Sequence, residues 1–146
     1  METCISPIGD LTKQKAVLLV EDDEISRQVE EWKLRKLGYQ VWIAANGWEA
    51  LDILQKNFCD LLLLNCHLLE MDGLYISLAI RSSNPKTLNP DIPIIALTSE
   101  STKTEYELCL AAGMNDLLSK PVNSQELAAK LEYWLNRSIR EPAGST

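Results

Sequence analysis

Histidine is almost absent from this chain: there is one, His67, among 146 residues. The four cysteines (Cys4, Cys59, Cys66, Cys109) stand 55, 7 and 43 residues apart, and none forms a C-x-x-C pair. That spacing with a single histidine argues against a zinc site. Three of the four lie in apolar segments, as reduced, buried thiols of a cytoplasmic protein do. Basic residues are also short, with Lys+Arg 14 against Asp+Glu 21 and a formal net charge of −7. So acidic a surface repels phosphate backbones, which excludes nucleic acid as a partner and leaves basic protein surfaces and divalent cations. No apolar run approaches the ~20 residues that cross a bilayer. The opening METCISPIGDLTKQK has no basic stretch followed by an apolar one, so it predicts neither a secretory signal nor membrane attachment. What is present, 46% hydrophobic and 24% charged residues, suffices for one packed domain.

Residues 1–14, with Pro7 and Gly9, read as a flexible leader, and 138–146 as a tail or linker stub. Between them, over 15–137, apolar runs alternate with helical patterns. AVLLV (16–20), YQVWIA (39–44), DLLLL (60–64), PIIALT (93–98) and Leu117–Leu118 predict five strands. After the first, Ile25, Val29 and Trp32 recur at helical spacing, widened by Leu34 and Leu37 and stopped by Gly38. Asn46 with Glu49, and Asn123 with Glu126, have the spacing of capped helix starts. Helices are also predicted over 74–82 and 102–112. The last helix carries Leu127, Leu131, Trp134 and Leu135 on its buried side. Strands that are apolar throughout and alternate with helices predict an α/β fold with a parallel sheet covered on both faces. The right-handed crossover rule favours a doubly wound, flavodoxin-like (βα)5 sheet in the order 2-1-3-4-5.

Ligands of such sheets bind beyond the carboxyl ends of the strands. There the chain has Glu21, Asp22 and Asp23 after the first strand, and Asn65, Cys66 and His67 after the third. Thr98 and Ser99 follow the fourth, and Ser119, Lys120 and Pro121 the fifth. Carboxylates and an amide suit Mg²⁺, while a lysine and a threonine suit a phosphoryl-like group. Each also has a plainer role. An acidic triplet favours a helix start, Thr98 and Lys120-Pro121 suit turns, and His67 suits an exposed loop. Their recurrence at successive strand ends favours a site.

VLLVEDDEISR, LRKLGYQVWIAANGWEAL, EMDGL, PIIALTSES and AAGMNDLLSKPV, in this order and spacing, resemble the receiver domain of two-component response regulators over residues 15–136. The long SSNPKTLNPDIP connection is similar to receivers attached to hybrid sensor kinases. The resemblance implies a phosphorelay signalling module in which an aspartate at the end of the third strand takes a phosphoryl group from a phosphohistidine. It further implies Mg²⁺ at Glu21, Asp22 and the backbone carbonyl of His67. Thr98 and Lys120 would face the phosphoryl group, and a cis peptide would precede Pro121.

The acceptor position implied by the resemblance is Asn65. A carboxamide is neutral and its oxygen is a poor nucleophile, so the acyl phosphate cannot form there. Losing one formal charge also weakens Mg²⁺ and relieves carboxylate repulsion in the metal-free site. No tightly bound cofactor is therefore expected. Lys120 is free to pair permanently with Asp22 or Glu21. Leu68-Leu69 stands where the family has Met-Pro, and Leu117 where its switch has an aromatic ring, which implies a more static core. Two explanations of Asn65 remain open. It is a natural pseudo-receiver residue, which Leu69 and Leu117 favour, or an engineered substitution in a phosphorylatable receiver.

The expected role is a non-enzymatic one: docking to a histidine kinase, a phosphotransfer protein or an effector domain through the fourth helix, fifth strand and fifth helix, with Tyr106 and Tyr133 as contacts. An acceptor moved to Ser99, Thr98 or Asp23 lacks the third-strand geometry. A Mg²⁺ phosphatase would need an aspartate in place of Asn65, and a flavin protein a glycine-rich loop where EDDEIS stands.

Overall fold

Strands buried on both faces need uninterrupted apolar sequence, and three stretches provide it: β1 (Ala16–Val20), β3 (Leu61–Asn65) and β4 (Ile94–Thr98). In the computed structural model, which describes residues 14–68 and 71–136, these three form the centre of a five-stranded sheet. The edges, β2 (Gln40–Ala44) and β5 (Asp116–Ser119), are partly exposed. All neighbours are parallel and the order is β2-β1-β3-β4-β5, the doubly wound, flavodoxin-like topology expected from the sequence. The helices are α1 (Glu24–Lys36), α2 (Gly47–Lys56), α3 (Gly73–Ser82), α4 (Lys103–Ala111) and α5 (Ser124–Asn136).

The two-residue period of a strand sends alternate leucines to opposite cores. Leu18, Leu62, Leu64 and Ile94 pack with Leu54, Ile76 and Ile80 of α2 and α3. Leu19, Leu63 and Ile95 pack with Leu34 of α1 and Leu127 and Leu131 of α5. Side chains of Asp23, Asn46, Asp72 and Thr102 accept first-turn N–H groups at the starts of α1 to α4, and Asn123 accepts from the Glu126 N–H at 2.9 Å.

The sequence pattern locates α1 correctly but assigns the wrong face. Ile25, Val29, Trp32 and Leu37 are exposed, Ile25 at 74%, whereas Leu34 and Glu30 are buried. The inward row is 27-30-34. Arg27 can occupy it because its guanidinium donates to the Glu21 carbonyl at 3.0 Å, so a polar side chain is satisfied there and the apolar ones are left outside.

The connection from α3 to β4 is held by one half-buried arginine. Arg81 donates to the carbonyls of Gly113 (2.9 Å) and Pro90 (2.8 Å) and to Asn115 Oδ1 (2.9 Å). Asn89 adds a bond to the Cys59 carbonyl at 3.0 Å. Two peptide bonds are cis, Asn84-Pro85 and Lys120-Pro121. The leader up to residue 13, the tail from 137, Cys4 and Leu69 lie outside the described residues. No described helix is long and apolar enough to cross a membrane.

Asp116 ties β5 to α5. Its carboxylate accepts from Trp134 Nε1 at 2.8 Å and Lys130 Nζ at 2.9 Å, and also from the Leu117 N–H at 2.8 Å. Burial opposes ionisation, but these three bonds and the Lys130 charge outweigh it, and the carboxyl group is held below its ordinary range. A depressed folded-state pKa adds stability above the unfolded value of ~4, lost as pH falls through the folded value. Asp116→Asn is therefore expected to lower stability by ~1–3 kcal/mol at pH 7. In urea titrations the deficit should shrink as pH drops below ~4.

Candidate functional site

The carboxyl ends of β1, β3 and β5 bring three side chains into contact. Glu21, the residue after β1, is a carboxylate with 1% exposure. A buried charge needs donors and an opposite charge, and Glu21 has both. Its Oε1 accepts from Lys120 Nζ at 2.8 Å. Its Oε2 accepts from Asn65 Nδ2 at 2.9 Å and from the Asp23 N–H at 3.2 Å. Lys120 reaches in from the end of β5, where its own N–H donates to the Thr98 carbonyl at 2.8 Å.

Asn65 closes β3 and is itself 5% exposed. Its Nδ2 faces Glu21, and its Oδ1 accepts from the His67 N–H at 3.2 Å. A carboxylate only accepts and an N–H only donates, so these partners define the amide's orientation. An aspartate in the same place would set two carboxylates against each other across that short gap. The amide turns a repulsion into a hydrogen bond.

Gly73 lets α3 start against this strand end. A Cβ there would lie 2.8 Å from the Asn65 carbonyl oxygen and 3.0 Å from Cys66 Cα. The Gly73 N–H donates to the Cys66 carbonyl at 3.2 Å.

The acidic triplet divides. Glu21 points inward, Asp22 is half-buried, and Asp23 caps α1 by accepting from the Ser26 N–H at 2.8 Å. The plain helix-start role thus belongs to Asp23. Thr98 is fully buried, and its hydroxyl closes a turn with Glu100, accepting from its N–H at 3.0 Å and donating to its carbonyl at 3.3 Å. Lys120 pairs with Glu21, one of the two partners considered from the sequence. Leu117 packs partly buried against the core. Tyr106 and Tyr133 are exposed, and Tyr133 sets its ring edge-on to Trp134 at 5.0 Å between centroids.

Mg²⁺ bound through Glu21, Asp22 and the His67 carbonyl would compete for an anion whose two oxygens already hold an ammonium, an amide and a backbone N–H. The donor set is chemically right for Mg²⁺ but poor in charge, with two carboxylates and no third.

Sequence reasoning missed Arg27, which braces the Glu21 backbone, and a second cluster beside the first. Cys66 and Cys109 face each other at 3.5 Å, and Glu105 lies next to both. No local motif marks residues 43 positions apart in the chain.

The sequence model of the response regulator receiver domain matches residues 17–132. The hybrid signal transduction protein dokA of Dictyostelium discoideum is 37% identical over 131 residues, covering 90% of this chain and 8% of its own length. The sensor histidine kinase RcsC of Salmonella typhi is 32% identical over 129 residues, 88% of this chain and 13% of that protein. This chain thus spans only a small part of such relatives. Among solved structures, a receiver domain of a Pseudomonas aeruginosa sensor histidine kinase, with magnesium coordinated in its active site cleft, superposes with a TM-score of 0.76 at 37% identity, covering 84% of this chain and 98% of that one. A putative response regulator from Chloroflexus aurantiacus gives a TM-score of 0.79 at 34% identity, covering 86% and 100%.

Proposed function

The chain belongs to the response regulator receiver domain family, and from that premise we propose that it is a pseudo-receiver: a two-component signalling module that does not take a phosphoryl group at residue 65 and works by binding other proteins. The observation that carries this reading is the Asn65 Nδ2 to Glu21 Oε2 hydrogen bond of 2.9 Å. Where a receiver needs an anionic nucleophile, this chain has a neutral donor already committed to the neighbouring carboxylate. Phosphoryl transfer to a side-chain oxygen requires the carboxylate's charge, and an amide does not supply it.

The rest of the pocket supports the same reading. Lys120, which the resemblance assigns to the phosphoryl group, neutralises Glu21 instead. Thr98 is occupied with Glu100. Mg²⁺ is accordingly a weak ligand here, and the groups that would hold it are Glu21, Asp22 and the His67 carbonyl.

The partner is a signalling protein: a histidine kinase, a phosphotransfer protein or an effector domain. Two surfaces are available to it. One carries Tyr106 and Tyr133 on α4 and α5. The other is the face of α1 that presents Ile25 and Val29 beside Lys120-Pro121, with Trp32 exposed one turn further along the helix. Contiguous exposed apolar side chains of this size favour a protein contact.

Incubation with acetyl phosphate and Mg²⁺, read by intact-mass spectrometry, tests the proposal. The wild-type chain should gain no phosphoryl group, and Asn65→Asp should gain one that is lost in alkali, as an acyl phosphate is. A wild-type adduct mapped to Asn65, or to Ser99 or Thr98 as a displaced acceptor, would overturn it.

A further inference from the structure

Beyond the end of β3 the chain meets α4, and this contact brings two of the molecule's cysteines together. Cys66 is the first residue past the strand, and Cys109 is on the inward face of α4; both are buried. Their sulfurs are 3.5 Å apart and not joined. Glu105 precedes Cys109 by four residues, one helical turn, so its carboxylate shares that face. One ligand atom from each of Cys66, Glu105 and Cys109 lies within 4.8 Å of the others. His67 Nε2 is 3.5 Å from Glu105 Oε2. Glu100 completes a second such trio with His67 and Glu105.

We propose that Cys66, Cys109, Glu105 and His67 form a binding site for one thiophilic divalent cation of the zinc class. Metal–sulfur bonds of ~2.3 Å and metal–nitrogen or –oxygen bonds of ~2.0 Å in a tetrahedron place two sulfurs ~3.8 Å apart and a nitrogen and an oxygen ~3.3 Å apart. The observed 3.5 Å for each pair is close to both, and Glu105 belongs to both trios; closing one shell requires the exposed His67 ring to swing toward the two sulfurs. Thiolate and imidazole ligands select such an ion over Mg²⁺ or Ca²⁺, which prefer oxygen alone. The charge requirement also points to a cation. The Glu105 side chain is only 14% exposed, and among the described residues the basic side chain within 4 Å of it is the His67 ring. On binding, the ion takes the place of the two thiol protons, which pass to solvent. The bound ion would fasten the loop after Asn65 to α4.

Co²⁺ titration of the full, reduced chain under argon tests this. One equivalent should produce a thiolate-to-cobalt charge-transfer band and the intense visible bands of a four-coordinate ion, both removed by one equivalent of Zn²⁺. Cys66→Ser with Cys109→Ser should abolish the charge-transfer band. His67→Ala, at an exposed position that leaves the fold intact, should weaken binding at least about tenfold, as should Glu105→Gln. Co²⁺ held only at the oxygen-lined Glu21 pocket would give weak six-coordinate bands without charge transfer. That spectrum would overturn the proposal, as would a thiolate band surviving in the double cysteine variant. So would wild-type affinity in both His67→Ala and Glu105→Gln.

Discussion

Asn65→Asp is expected to make a protein indifferent to Mg²⁺ into one that depends on it. In the wild type the amide donates to Glu21 across 2.9 Å, and the pocket needs no further cation. An aspartate there sets a second negative charge against the first. Two unit charges ~4 Å apart at an effective dielectric of 20 repel by about 4 kcal/mol. Lys120 and side-chain relaxation absorb part of this, so the variant should be ~1–3 kcal/mol less stable in EDTA. Millimolar Mg²⁺ should restore the variant by mass action and leave the wild type where it was. The same variant should bind beryllofluoride with Mg²⁺, read by isothermal titration, and the wild type should not. Urea denaturation with and without Mg²⁺ decides the first point. A wild type stabilised by Mg²⁺ as strongly as the variant would mean that two carboxylates suffice for the metal and that the amide hydrogen bond does not set the pocket's charge balance.

Lys120→Met should be the most damaging single change at the site. It leaves the Glu21 carboxylate, 1% exposed, without its only ion-pair partner among the described residues. Removing one partner of a buried pair costs about 3–5 kcal/mol because the remaining charge is uncompensated. Lys120 is about a quarter exposed, with 24% side-chain accessibility, and the Asn65 amide and the Asp23 N–H stay on Glu21. The expected loss is therefore ~2–4 kcal/mol at pH 7. Glu21→Gln in the same background should recover much of it, since a neutral amide needs no ammonium. A double-mutant cycle by chemical denaturation measures the coupling. A loss below ~0.5 kcal/mol for Lys120→Met would show that water reaches Glu21 and that the pair is worth no more than a surface one.

Much of the fold was readable because it is written in local patterns. Unbroken apolar runs such as LLLL at 61–64 suit strands buried on both faces, and the Asn46 and Asn123 caps are short-range chemistry. The face of α1 was not readable. A stripe of Ile25, Val29 and Trp32 is as apolar as any core stripe, and its exposure follows from Leu34 being the residue that packs against the sheet and α5, which lie elsewhere in the chain. The candidate site divides in the same way. Asn65, Glu21 and Lys120 stand at strand ends and were named from the sequence. That Glu21 holds both of the others, while Thr98 turns to Glu100, depends on side-chain directions in the folded crevice.

By itself, then, the sequence determined the topology and the chemical identity of residue 65, since periodicity, capping and the choice of amide over carboxylate are properties of single residues and their near neighbours. Only the tertiary structure decided that the amide satisfies a buried carboxylate, that hydrophobic side chains of α1 face solvent, and that Cys66 meets Cys109 and Glu105. Each of those is a contact between segments distant in the chain, and burial and distance exist only once the sheet has brought them together.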